Sequence, residues 1–459
     1  MIFSIICLSG INAGAQIEAN YWTHQYGSKG QLLNGAVIAS PDGETSTFYN
    51  PGAIGMDDDL GFLFSYITPT YSSLRTQNIL GDGTQIRDRG LNFAPGYFGL
   101  RLRPFQNKNI TVALSNFERY DSSIRLDDRE VSDVVDFPDL IYRFDLDFRR
   151  NYSEKWRGIG IAYNISDNVG FGLSQFSVWR RDQFNLESVS EIQSIEIANV
   201  LSQFKRHEST YRFNINSAFI TKLGFSYKSE NLCLGLTYTS PQYGTIHKSA
   251  TYNIEDQLVD DVNGKTTSRS NRDNTSNLTY KSPHSVGLGL DIHRGGTSVS
   301  ISSEYFFGID RYQILNEMTT APNEAPFRVA SENEAVLNFA VGIQRDLSEK
   351  TSLVFGFRTD FNQKNILSVN DNPNFLGIVG NVYHFSGGNL IEFKNNQFSC
   401  GFDLAFAKRS NGTQLVDLAA ISPAAFPDLG GKKNVTNRFH SFTIFFTYDF
   451  IFDRFRKSE

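Results

Sequence analysis

A chain of 459 residues with a formal net charge of −6 and a pI near 5.7 is poorly matched to nucleic acid, which recruits basic surfaces. No window approaches the roughly 18 consecutive apolar residues that a spanning helix requires, and the mean hydropathy is −0.31, which excludes a helical membrane protein. A membrane barrel is not excluded: with 39 Phe, 20 Tyr and 37 Gly, lipid-facing apolar residues can alternate with polar residues that face a lumen.

Residues 1–15, MIFSIICLSGINAGA, carry an apolar core from Ile2 to Leu8 and small residues ending at Ala15, the form of a signal peptide cleaved near Ala15. Cys233 and Cys400 each fall within a strand pattern and are expected to remain free thiols. Next comes a stretch assigned to residues 16–58. Its centre, Tyr26 to Met56, is rich in Gly, Ser, Asp and Pro and has neither helical nor alternating periodicity. It reads as a hatch lodged inside a barrel whose wall is residues 59–453, with 454–459 as a tail. No linker interrupts the pattern, so one unit is expected.

The first strand patterns are Leu60 to Tyr71 and Leu91 to Arg103. In the second, Phe98, Leu100 and Leu102 alternate with Gly99, Arg101 and Arg103, so one face suits lipid and the other water. Asn109 to Tyr120 follows. Between Leu140 and Ile165, Phe144, Leu146 and Phe148 alternate with Arg143, Asp145, Asp147 and Arg149, which suggests a lumen or loop-proximal wall. Hairpins with tight links then recur around Ile165 to Asn168, Lys228 to Asn231, Arg294 to Gly296, Arg345 to Thr351 and Lys394 to Asn396. Long polar segments, Glu255 to Ser276, Tyr312 to Ser331 and Lys408 to Lys433, separate them and read as loops. Short turns on one rim and long loops on the other belong to an outer-membrane barrel. With the aromatic Phe439 to Phe452, the count is about 14 strands, an all-β antiparallel transmembrane barrel with its plug inside.

One loop differs. Leu186 to Phe204 places Leu186, Val189, Ile197, Val200, Leu201 and Phe204 on one helical face, predicting a helix over the barrel mouth. It would act as a lid or as a ligand-catching surface. Seven His residues are scattered, with no Cys or His pairs at metal-ligand spacing, so neither a metal, a cofactor nor an enzyme is indicated.

The plug stretch resembles the N-terminal hatch of the FadL/TodX family of outer-membrane transporters for long-chain fatty acids and hydrocarbons. The resemblance rests on Gly27, Gly30 and Gly35, then Ala39-Ser40-Pro41-Asp42, then Phe48-Tyr49-Asn50-Pro51, and departs at Gly52, where the family prefers Ala. Tyr238-Thr239-Ser240-Pro241 running to His247-Lys248, and Ser282-Pro283 before Val286-Gly287-Leu288-Gly289, are similar to later family segments.

The resemblance implies passive uptake of a hydrophobic ligand through the outer membrane, with lateral exit through a gap at a kinked third strand. Asn109 to Tyr120 holds no Gly or Pro to mark such a kink. Gly30, Gly35, Asn50, Pro51 and Gly52 would shape and gate the hatch. Arg101 and Arg103 are candidate partners for a ligand carboxylate or part of a balanced lumen, and Leu201 and Phe204 are candidate apolar contacts. Expected partners are outer-membrane lipids and lipopolysaccharide, a hydrophobic small molecule and a possible outer-membrane protein. An alternative follows from that last partner: a non-transporting barrel that serves as a protein-binding subunit of a secretion or assembly complex. An apolar pocket would favour transport, and a lumen packed with paired charges the alternative.

Overall fold

Period-two patterning becomes strand through most of the chain. The segments are β1 (Gly61–Ser65), β2 (Thr68–Gln77), β3 (Gln85–Ala94), β4 (Tyr97–Leu102), β5 (Ile110–Val134), β6 (Phe137–Ser166), β7 (Val169–Ser194), β8 (Leu201–Lys228), β9 (Leu232–Thr239) and β10 (His247–Asp260). They continue with β11 (Lys265–Thr275), β12 (Ser285–Arg294), β13 (Thr297–Phe306), β14 (Ile309–Met318), β15 (Phe327–Asn333), β16 (Val336–Ser348), β17 (Thr351–Asp360), β18 (Val382–Phe393), β19 (Asn396–Thr413) and β20 (Lys433–Ile451). The computed structural model describes residues 19–57, 60–65, 68–94, 96–104, 107, 109–134, 137–194, 201–260, 265–275, 278–318, 327–364, 380–393, 396–415 and 431–451. The signal-peptide and tail assignments lie outside these residues.

Six pairs of consecutive segments (β1 with β2, β3 with β4, β9 with β10, β11 with β12, β13 with β14, β15 with β16) each form one stave, giving fourteen staves. Every pairing is antiparallel, and β20 closes the ring against β1 at Gly61↔Ile451 and against β2 at Thr70↔Thr443. Tight turns such as Gly295-Gly296, whose φ values of 56° and 71° suit glycine, gather on one rim. Cys233 and Cys400 are free thiols.

The wall has two zones. Near the short-turn rim apolar side chains point outward: Ile159, Ile161 and Tyr163 of β6 are exposed while Ala162 is buried. Farther up the relation reverses. β5, β6, β7 and β8 run 25, 30, 26 and 28 residues, where about 9–11 suffice to cross a bilayer. They rise together as a tower. Phe144, Leu146 and Phe148 face its buried interior, packing in one cluster with Leu74, Ile86 and Phe184. Arg143, Asp145, Asp147 and Arg149 alternate with them on the outer face, where Arg149 pairs with Asp147 at 2.5 Å. The both-sign ladder is therefore not a lumen wall.

Of the segments expected as polar loops, the first two are largely strand, and the third is strand at its two ends, with 416–430 outside the described residues. Glu255 to Ser276 is mostly the hairpin of β10 and β11, Tyr312 to Ser331 contains β14 and β15, and β19 and β20 reach Thr413 and Lys433. The helix expected at Leu186 to Phe204 is absent among the described residues: Leu186 to Ser194 completes β7, Leu201 to Phe204 opens β8, and residues 195–200 lie outside the description. Leu186, Ser188, Ser190 and Ile192 are buried in alternation, because the ladders to β6 and β8 impose the strand period on residues that also fit a helical one.

Inside the short-turn end lies the hatch, with α1 (Ser28–Leu32), α2 (Ser46–Tyr49) and single 3₁₀ turns at Gly43–Thr45 and Pro51–Ala53. Such short helices do not stand alone; the wall holds them. Asn50 is the keystone: its Oδ1 accepts from the Gly52 N–H at 3.0 Å, and its Nδ2 donates to the carbonyls of Ile38 and Phe225, each at 3.0 Å. Pro51 opens the 3₁₀ turn that Asn50 caps. A Cβ at Gly52 would stand 2.7 Å from the Phe225 carbonyl carbon, so this close approach of hatch to wall requires glycine. Wall glycines answer: a Cβ at Gly172 would meet the Pro51 oxygen at 2.0 Å, and one at Gly224 the Asn50 Oδ1 at 2.3 Å. Hatch backbone thus lies on wall backbone.

Candidate functional site

Above the hatch, on the tower side, is a chamber with about 720 Å³ of empty space, part of it open to solvent. Its aromatic surface comes from Tyr21 and Phe48 of the hatch and from Tyr120, Trp156, Tyr280 and Phe306 of the wall. Phe48 stacks edge-on to Phe117 at 5.2 Å, and Trp156 lies 5.0 Å from Phe176, so the floor is rigid and apolar.

The charges in this chamber are unequal in their compensation. Glu154 is consumed by Arg180 at 2.6 Å and by the Trp156 indole N–H at 2.6 Å, while Arg180 also lies 3.5 Å from the Tyr280 ring centroid. Glu304 accepts from the Trp22 indole N–H at 2.8 Å and from Ser285 Oγ at 2.6 Å. Lys222 is different. It is 6% exposed, its Nζ lies 5.4 Å from the Phe48 ring centroid, and among the described residues it has no hydrogen-bond or ion-pair partner. Arg119 donates to the Tyr21 carbonyl and leaves its Nη1 without a partner among the described residues. An unpaired buried ammonium is costly, and a ligand anion would relieve that cost.

Arg119 also marks a break in the wall. The ladder from β5 to β6 shifts register between Glu118 and Tyr120, so Arg119 and Tyr120 both point inward. This is a β-bulge, which requires neither Gly nor Pro. Just below it the pairing of β4 with β5 ends at Tyr97↔Phe117, and among the described residues no ladder joins β3 to β5 above that point. Among the described residues one hydrogen bond, from the Arg125 N–H to Asp88 Oδ2 at 3.4 Å, joins the two strands along this unladdered stretch. Tyr71 and Leu91, exposed on the outer face of β2 and β3, lie beside it.

The site residues expected from sequence fall elsewhere. Arg101 is buried against the hatch, ion-paired to Glu44 at 3.3 Å and donating to the Ile54 carbonyl at 3.2 Å. Arg103 donates to Thr111 Oγ1 and to the Asp57 carbonyl, both at 3.3 Å. Both are struts at the hatch margin and do not line the chamber. Leu201 and Phe204 pair with Gln193 and Glu191 in the tower, and their side chains are outside the description. Gly30 faces the Tyr49 hydroxyl, where a Cβ would sit 2.5 Å away, and Gly35 takes φ 85° at the end of the α1 turn. Lys222 was legible as an inward position, since Leu223 and Phe225 alternate with it, but its lack of a partner was not. Below, at the hatch margin, desolvation and the guanidinium groups of Arg119 and Arg358 push His24 down to about 3, so it is held neutral.

No family model and no curated protein matches the sequence. Among solved structures, a Pseudomonas aeruginosa FadL homologue superposes with a TM-score of 0.60 at 11% identity, covering 94% of this chain and 100% of that one. The Pseudomonas putida toluene transporter TodX gives 0.59 at 10% identity, covering 93% and 98%. The chain thus has the fold of the FadL/TodX-type barrels, an N-terminal plug within fourteen staves.

Proposed function

We propose that this chain is an outer-membrane protein of the FadL/TodX type that moves hydrophobic molecules passively, and that its preferred cargo is an apolar chain bearing one anionic headgroup. The observation that carries this reading is the unpaired Lys222 in an aromatic chamber beside an unladdered stretch of wall. Aromatic walls take the tail by burial at about 25 cal/mol per Å². Lys222 takes the carboxylate. The ligand then leaves sideways between β3 and β5, past the exposed Leu91 on β3 and its partner Tyr71 on β2, so the tail need not enter water. Gly30, Gly35, Asn50, Pro51 and Gly52 hold the hatch beneath the chamber and close the straight path. The aromatic part of the chamber, with an uncompensated Lys222 beside the Arg180–Glu154 pair, supports transport over service as a protein-binding subunit.

The test is binding of oleate and of methyl oleate to the purified barrel and to Lys222→Met. The variant is expected to lose about tenfold in affinity for oleate, about 1.4 kcal/mol, and to keep its affinity for the ester. Equal effects on both ligands, or none on oleate, would remove the headgroup role from Lys222.

A further inference from the structure

On the opposite side of the hatch, toward the short-turn rim, lies a second chamber with about 1400 Å³ of empty space, part of it open to solvent. Its chemistry is acidic. Glu44 and Asp57 are satisfied, by Arg101 and by Lys228. Five other carboxylates line the space, those of Asp42, Asp291, Asp346, Glu392 and Asp449, and the remaining basic groups in the lining are Lys29 and His293.

Two of these carboxylates are short of partners, with Asp291 Oδ2 facing His293 Nε2 at 3.4 Å and its other oxygen unmatched. Asp291 and Asp449 are each 4% exposed, and Oδ1 of each has no hydrogen-bond partner among the described residues. Oxygens of this kind, desolvated yet unmatched, call for a cation.

The spacing says which kind. Asp291, Asp346, Glu392 and Asp449 stand on β12, β16, β18 and β20, and successive members of this set are separated by one intervening strand, β13, β17 or β19. At about 4.8 Å per strand, neighbouring carboxylate staves are about 10 Å apart. Among the described residues no three His, Cys, Asp or Glu groups are close enough to hold one metal ion. A compact ion cannot serve separated anions, whereas a flexible chain with several ammonium groups can. Leu33 and Leu390 supply apolar surface for its methylenes.

We propose that this chamber binds a linear aliphatic polyamine, held by the wall carboxylates of Asp291, Asp346, Glu392 and Asp449 and by Asp42 of the hatch. Because Asp42 belongs to the hatch and the others to the wall, the bound polycation ties one to the other. Burial pushes the Asp42 carboxyl up to about 6, against the opposing pull of Lys29, from whose backbone N–H it accepts a hydrogen bond at 2.9 Å. The site is separate from Lys222 and stands whether or not the upper chamber takes fatty acids.

The experiment is calorimetric titration of the detergent-purified full chain with spermidine and, at matched ionic strength, with Mg²⁺. Saturable spermidine binding at least tenfold tighter than Mg²⁺ binding is expected. Asp291→Asn with Asp449→Asn is expected to weaken it at least tenfold, with folding checked by the mobility of unboiled samples in SDS gels. Asp346→Asn with Glu392→Gln, nearer the rim, keeps the test usable if the buried pair fails to fold, and is expected to weaken binding at least threefold. Spermidine binding no tighter than Mg²⁺ binding, or unchanged in whichever variant folds, overturns the proposal.

Discussion

β6 passes through two environments in one uninterrupted run of 30 residues, and its side chains reverse their arrangement between them. In the lower zone Ile159, Ile161 and Tyr163 face outward and Gly158 and Gly160 face in; in the tower Phe144, Leu146 and Phe148 face inward and Arg143, Asp145 and Asp147 face out. The lower zone is built for an apolar surround and the tower for water. The backbone is the same in both, so the solvent outside it decides which face is apolar. The crossover falls near Trp156, beside the Arg119 bulge of β5.

The tower is the better place to break this contrast by truncation. Phe148 is fully buried and meets Phe184 edge-on at 5.5 Å. Phe148→Ala is expected to cost about 3–5 kcal/mol of tower stability, as in a soluble core. Limited proteolysis along a urea gradient should show nicking of β5 to β8 at lower urea while the barrel below still resists SDS. A variant indistinguishable from the parent would mean that the tower interior is not a packed core.

This contrast also explains what could be read from sequence. Lower-zone strands announce themselves because lipid demands an apolar residue at every second position, as at Leu232 to Thr239 and Val336 to Gln344, and the count of fourteen follows from them. Tower strands face water outside and need only modest apolar content inside, so the residues of β11 (Lys265–Thr275) resemble a loop, and those that close β7 and open β8 also fit a helix. The hatch was recognisable through Asn50 and Pro51, whose capping geometry demands those residue types. The unladdered stretch between β3 and β5 was not. It depends on a bulge at Arg119, an ordinary residue whose conformation is set by the strands around it. Lys222 was equally opaque, since whether a buried cation is compensated depends on residues distant in sequence.

A second change addresses the lower zone directly. Ile161 faces outward, directly opposite Leu173 of β7, and both are exposed. Ile161→Arg is expected to cost up to about 2–4 kcal/mol if this position sits at the bilayer midplane, less toward either interface. Urea unfolding in lipid vesicles measures it, and the same substitution in detergent, which adapts to a charge more readily, should cost less. Equal penalties in the two media would place Ile161 outside the apolar band.

The smallest effect belongs to the outer face of the tower. Arg143 and Glu191 are directly opposite across β6 and β7, with N–O 3.4 Å and side-chain exposures of 34% and 22%. Paired charges on a solvated face gain little, because water and salt screen them. Arg143→Gln is expected to change stability by no more than about 1 kcal/mol, and the double-mutant cycle with Glu191→Gln to give a coupling that shrinks further in 0.5 M salt. Its small size is the informative part. If the ladder stabilised the tower as strongly as its interior does, truncation at Phe148 and at Arg143 would cost alike, and the two faces of β6 would no longer be distinguishable by energy. A large gap between them means that the charges keep this face wet while Phe144, Leu146 and Phe148 hold it up.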